Sequence, residues 1–376
     1  MKKQTWSIQC VLFLATIVLA SCQKQNDLTG SSGSNVQPRA LLTDTLTGKY
    51  GNGFFLINEG WYGHGTGEVS FYRRSTGTKS DGIFKKENPG KNLNPATSTL
   101  EFATIFDNKL YLVSKVGGPV VVTDPVTLVE TGRIAAAGGN DWRAFAGVDN
   151  THGLISSHTG VFPVSLPGLT LGTRISGITG EVGDMVRSGN YVFVLSQSAG
   201  VVVLNASTYA IVKTIGGMAV AFARTSDGTV WAAGGTSLLK INPTTLDTAT
   251  VHLPFTANNT WFAWHPGSIT ASTAENAVFI AANGTFSGGT AIYKYVVGTP
   301  SSLSAPFITI AGGKELYGAG IGYDPAFNQL IVTTVQSGFG TNYGVNDLVF
   351  YNAGTGALVS DLGYSGYYFP AIPVFH

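Results

Sequence analysis

The residues through which this chain could do chemistry are six histidines and a scatter of carboxylates. His64, His152, His158, His252, His265 and His376 contain no close pair of the kind zinc sites use, so no metal is expected. Glu59, Glu101, Asp141, Glu181 and Glu315 could each act as a base, yet no spacing couples any of them to a histidine. Glu101 and Glu181 sit where structural hydrogen bonding is the commoner role. There is no Gly-x-Ser-x-Gly elbow and no Walker-type phosphate loop, and the many Gly-x-Gly strings read as turns. No catalytic residue, metal or resident cofactor is assigned, and binding is the expected activity.

What would position binding residues is a repeat. From Phe54 onward the chain cycles through an apolar strand, a tight polar turn, a second strand, a loop, a third strand, a Pro- or Asn-containing turn and a fourth strand. Copies run over Phe102–Ile134, Trp142–Ile175, Val182–Ile215, Ala219–Leu253, Phe262–Ile310 and Tyr317–Leu362. Four strands per roughly 40 to 50 residues is the signature of a propeller blade. Phe54–Phe84 supplies only three strands of a seventh unit: FFLINEG, GEVSFYRR and KSDGIF. The terminal run GYYFPAIPVFH is expected to be its innermost strand, which closes the ring and leaves no exposed inner edge. The predicted fold is thus an all-β seven-bladed β-propeller closed by the C-terminal strand. An open solenoid or two sandwiches would leave that aromatic strand unpaired.

Blade topology sorts the loops between two faces. The short turns DNK, DNTHG, RSGN, TSDG, STAEN and DPAFN share one face. The longer loops between second and third strands, together with the inter-blade runs, share the other. This loop face collects Trp61, Tyr62, His64, Trp142, Arg143, His158, Trp261, Trp264, Phe286, Tyr317, Phe339, Tyr343, Tyr367 and Tyr368. Only Trp231 is placed where a blade core wants a tryptophan. Large aromatics beside Gly, Asn and Ser suit a broad, partly polar ligand. The alternative for each is that it plugs the channel mouth or wedges between blades.

Composition agrees with the all-β reading. Gly is abundant at 49, Met is scarce at 3, and charged residues make up 11%, against about 25% in ordinary soluble proteins. Few helix formers and many Val, Thr, Ile, Phe and Tyr favour strands. A net charge of +1 provides no basic footprint, so nucleic acid is not an expected partner.

The first residues read as an address. Met1-Lys2-Lys3 is followed by an apolar core, Val11–Ala20, and Leu19-Ala20-Ser21-Cys22 fits the bacterial lipoprotein cleavage box. Residues 1–21 are expected to be the signal, with Cys22 the lipid-bearing first residue of the mature chain. Residues 22–50 form a polar tether, and 51–376 the propeller. Removing Cys10 with the signal leaves no disulfide, so the fold must rely on its core.

The run FFLINEGWYGHGTGEVSFYRRSTG and the ending GYYFPAIPVF resemble the YncE-like seven-bladed propeller lipoproteins of Gram-negative bacteria, a group long labelled a domain of unknown function. The resemblance covers Phe54 to His376, with Asn58, Glu59 and Pro370 among its matching residues. It implies an outer-membrane lipoprotein, displayed on the cell surface, that captures cobalamin or a related corrinoid and hands it to a TonB-dependent transporter. Cobalamin would then be a transported ligand and not a cofactor. A protein or glycan interaction module of the same fold is the alternative, followed by a propeller lyase or hydrolase, and a periplasm-facing anchor stays open.

Overall fold

A strand that is apolar at every position, such as Phe54-Phe55-Leu56-Ile57, must be buried on both faces, and stacked blades provide this. The computed structural model describes residues 47–139, 141–258, 268–285 and 287–376. The expected signal and nearly all of the tether, Cys22 included, lie outside the described residues. Seven antiparallel sheets follow one another along the chain. Their innermost strands are Pro370–Phe375, Thr99–Phe106, Trp142–Asp149, Val182–Ser188, Phe222–Arg224, Ile269–Ala271 and Lys314–Asp324. Each innermost strand contacts the next, and the last contacts the first, so the ring is closed.

Blade 1 joins both ends of the domain, as the orphan strand predicts. Pro370–Phe375 pairs antiparallel with Gly53–Asn58, setting Phe54 opposite Phe375 and Leu56 opposite Pro373, with an irregularity at Asn58. Two prolines are tolerated here because this strand pairs on one side only and borders the channel on the other. Successive residues of the neighbouring strand point to opposite neighbours. Phe54 packs with Ile331, Leu348 and Phe350 of blade 7, while Phe55 and Ile57 pack with Leu110, Leu112 and Val121 of blade 2.

The turns between third and fourth strands follow a recurrent chemistry. Asp124, Asn205, Asn242 and Asn352 each accept two backbone amides two and three residues on. The residue four positions on takes positive φ: Leu128 (61), Tyr209 (57), Leu246 (61) and Gly356 (75). Side-chain oxygens thus satisfy amides that a tight turn would otherwise orphan.

Two elements differ from the repeat pattern. The expected strand KSDGIF ends after Thr78–Ser80, and a short helix, Ile83–Glu87, follows. It buries Ile83 and Phe84 in the core between blades 1 and 2. Asn88 then donates to the carbonyls of Phe84 and Leu128, both at 2.9 Å. In blade 5 the two strands expected in the middle form one continuous element, Val230–Ile241, interrupted only by Gly235 at φ 57. It pairs with Phe222–Arg224 at its start and with Thr248–Ala257 from Gly235 on.

Candidate functional site on the loop face

The loop after Gly53–Asn58 is held against the chain's terminal segment. Glu59 N donates to Phe369 O at 2.9 Å and Gly60 N to Tyr368 O at 3.2 Å. Gly60 (φ 81) is obligatory, because a Cβ there would lie 2.6 Å from the Thr66 carbonyl. Trp61 O then accepts the His64 amide at 2.8 Å, which folds the loop over.

This fold-back builds a band of rings across the ring's closure. Trp61 lies 4.2 Å from His64 and 4.9 Å from Tyr368, measured between centroids. Tyr368 meets Phe369 at 5.9 Å, Phe369 meets Tyr343 at 5.5 Å and Tyr317 at 4.9 Å, and Tyr343 meets Phe339 at 5.8 Å. Two shallow concavities flank the Trp61 loop. One, of about 190 Å³, is bounded by Trp61, His64, Thr66, Gly366, Tyr367 and Tyr368. The other, of about 440 Å³, lies between Tyr62, Thr97, Val116, Gly117, Asp141 and His158.

Three of the positive-φ residues lie at the same place. Val116 (φ 53), Phe339 (φ 60, ψ 170) and Phe369 (φ 61) occupy regions that favour glycine. For a β-branched or aromatic residue each such conformation costs on the order of 1–3 kcal/mol. Asp141 steadies Val116 by accepting its amide at 2.8 Å. Tyr62 and Phe339 stand 53% and 65% exposed, large apolar areas left in water on one face.

Beneath the rings lies a buried ionic layer. Glu59 accepts a hydrogen bond from the Tyr317 hydroxyl at 3.1 Å, and its other oxygen has no hydrogen-bond partner among the described residues. Burial pushes its carboxyl up to about 8, Lys115 opposes this and Glu101 adds to it. Glu101 pairs with Lys115 at 2.6 Å. Arg143 is gripped by Asp141 and by Glu181, the latter at 2.8 Å. Burial alone would lower the Arg143 value, but Glu101, Asp141 and Glu181 together raise it. Tyr343 donates to Glu315 at 2.7 Å. His158 comes within 3.8 Å of Asp141, whose oxygens already serve Arg143 and Val116. Among the described residues no group of His, Cys, Asp and Glu has a metal-holding arrangement.

The sequence-derived candidates therefore separate. Trp61, Tyr62, His64, His158, Phe339, Tyr367 and Tyr368 are at least partly exposed on the loop face. Tyr317 and Tyr343 are buried supports of that face, and Arg143 belongs to the ionic layer. Trp142 is 3% exposed and packs edge-on against Phe162 at 5.7 Å, within the core between blades 2 and 3. It is an inter-blade wedge, so Trp231 is not alone among core tryptophans. Trp261, Trp264 and Phe286 lie outside the described residues. Sequence reasoning missed Phe369 and Val116, whose roles depend on a backbone conformation that residue type argues against.

A closed ring of seven β-sheet blades, sealed by its last strand, defines a seven-bladed β-propeller, which carries its band of rings on the loop face. The chain belongs to the family described as Domain of unknown function (DUF5074), whose profile matches residues 52–376. No curated protein sequence matches it. Among solved structures it resembles a quinonprotein alcohol dehydrogenase-like protein from Bacteroides thetaiotaomicron VPI-5482. That likeness has a TM-score of 0.68 at 19% identity, over 86% of this chain and 78% of the other. It also resembles dihydro-heme d1 dehydrogenase NirN in complex with DHE, with a TM-score of 0.55 at 11% identity, over 88% and 78%. At these identities the likeness shows the fold alone.

Proposed function

We propose that this protein is a ligand-capturing lipoprotein of the cell envelope, which binds cobalamin or a related corrinoid on its loop face and passes it to a TonB-dependent outer-membrane transporter. The observation that carries the reading is the unbroken band of rings from His64 through Trp61, Tyr368, Phe369 and Tyr343 to Phe339, with two concavities beside its Trp61 end. A corrinoid offers a broad ring and amide arms. Exposed aromatic faces complement the first, while Thr, Asp and His side chains and loop amides complement the second. The lipoprotein box ending at Cys22 and the resemblance of the paired terminal motifs support an anchor at the outer membrane and a transporter partner.

The test is calorimetric titration with cyanocobalamin, using the mature chain from residue 22 to His376 made with Cys22→Ser so that it carries no lipid. Every described strand lies within that span. Saturable binding at micromolar concentration, weakened by Trp61→Ala, supports the reading; no heat and no retained red colour overturns it. Protease shaving of intact cells tests the surface orientation. Capture of the transporter in the absence of corrinoid would favour a protein-docking module, for which Phe339 at 65% exposure is the specific attraction.

A further inference from the structure

A cavity larger than either loop-face concavity, about 700 Å³, opens at the other mouth of the channel, among the short turns. Phe106, at the end of blade 2's innermost strand, and Gly189, in the turn between the first strands of blade 4, place it there. Its apolar wall is Phe102, Phe106, Phe145 and Met185, and its polar groups include two arginines, Arg187 and Arg224. The wall is pre-set. Phe106 lies against the bare backbone of Gly147, where a Cβ would come within 2.2 Å of the ring. Phe145 in turn stacks on Tyr111 at 4.0 Å and 9°.

The arginines are held over this wall by backbone carbonyls and not by acids. Arg224 Nη1 donates to the Arg187 carbonyl at 2.9 Å, and Arg187 Nη1 donates to the Val148 carbonyl. Neither forms an ion pair among the described residues, and no acidic side chain lines the cavity. Of the carboxylates in the neighbouring turns, Asp149 accepts from Thr151 and His152 and Asp227 from Thr225 and Thr229, while Asp107, next to Phe106, is exposed and does not line the cavity. Two guanidinium groups facing an aromatic, acid-free hollow form a site whose charge is unmatched by the protein itself. A guanidinium pairs best with the oxygens of a carboxylate, phosphate or sulfonate, and such volumes hold small organic molecules.

We propose that this turn-face cavity is a second binding site, for a small organic anion whose flat apolar body seats against Phe106 while its acidic group meets Arg187 and Arg224. The site is independent of corrinoid capture, since it lies on the opposite face and asks for the opposite ligand chemistry.

The probe is 8-anilinonaphthalene-1-sulfonate, with uncharged N-phenyl-1-naphthylamine as its neutral counterpart, titrated by fluorescence into the same lipid-free mature chain. The sulfonate dye should bind saturably and more tightly than the neutral one. Arg187→Gln with Arg224→Gln should weaken the sulfonate at least about tenfold and leave the neutral dye within about twofold, since two charge-assisted contacts are removed. Phe106→Ala should weaken both dyes. Both arginines are exposed at the mouth, so the doubly substituted chain should keep its near-ultraviolet circular dichroism. Sulfonate binding that survives the double substitution, or that is lost on Trp61→Ala instead, overturns the site, as does the absence of saturable binding. Failure to bind cyanocobalamin leaves it untouched.

Discussion

The Tyr317 hydroxyl reaches across 258 residues of sequence to donate to Glu59 at 3.1 Å, tying blade 7 to the loop that opens blade 1. On the opposite face the same seam is closed by Arg74, whose guanidinium makes two bonds to Asp324, at 2.9 and 3.0 Å. The closure is therefore pinned at both rims of the channel by a polar contact, with the apolar strand pairing between them. The loop-face pin also sits directly under the Phe369 and Tyr343 rings.

Breaking either pin should loosen the seam. Tyr317→Phe removes the donor to a buried carboxyl and should cost about 1–3 kcal/mol. Arg74→Met leaves Asp324 buried without its guanidinium and should cost about 3–5 kcal/mol. Urea unfolding of the two variants beside the parent chain measures both. A loss smaller for Arg74→Met than for Tyr317→Phe would contradict the assignment of the stronger pin.

Stability should fall as pH rises toward 8. The Glu59 carboxyl is pushed by burial from its ordinary 4.5 up to about 8, so between those values the folded chain holds a proton the unfolded chain has released. A proton bound preferentially by the folded state stabilises it at low pH, and that stabilisation is lost on the way up. Asp184, pushed by burial from 3.8 to about 6, acts with the same sign at the acid end of the window. Thermal midpoints recorded at successive pH values should therefore decline, and Glu59→Gln should flatten the stretch between about pH 6 and 8 and reduce the slope below it, where Asp184 still acts. An unchanged slope in that variant would remove Glu59 as the cause.

Two tryptophans should report on different properties. Trp142→Ala opens a cavity between blades and should cost about 3–5 kcal/mol of stability, with corrinoid affinity altered less than about twofold. Trp61→Ala should leave stability within about 1 kcal/mol and weaken binding by on the order of tenfold. Parallel calorimetry and denaturation separate them. The reverse pattern would mean that the binding surface has been drawn on the wrong side of Trp142.

Deleting Pro370–His376 should abolish folding and not merely trim an end. Phe54, Phe55 and Leu56 would lose the inner of their two strand partners, and the aromatic contact between Phe54 and Phe375 at 5.2 Å would go with it. Size exclusion should find aggregate or an expanded chain. A compact monomer that keeps its sheet signal would refute strand closure.

The ring was legible because a repeat needs only type and spacing. Turn residues recur at fixed offsets, and an apolar strand with no neighbour in sequence must find one in space. Residues whose role depends on the third dimension were less legible. Trp142 occupies the start of an innermost strand, as the repeat places it, but which neighbour its ring meets depends on the packing of blade 2 against blade 3. Ile83 and Phe84 carry an apolar pattern too short to separate strand from helix. Arg187 and Arg224 lie near turns of different blades, and no spacing in the chain announces that their guanidinium groups overhang one hollow. Val116 and Phe369 were hidden for another reason: their positive φ contradicts what their side chains prefer, and strain of that kind belongs to the assembled site.

The pairing of Phe54 with Phe375 also sets a schedule for folding. Synthesis proceeds from the N-terminus at roughly 5–20 residues per second, so the strand Gly53–Asn58 must wait on the order of tens of seconds for Pro370–Phe375 to exist. Throughout that interval Phe-Phe-Leu-Ile is a bare apolar edge, the kind that pairs readily with a neighbouring chain. Closing so distant a contact is also intrinsically slow. Ring closure is thus the step at which a holding chaperone, or its shortage, would decide how much of the newly made chain reaches the native state.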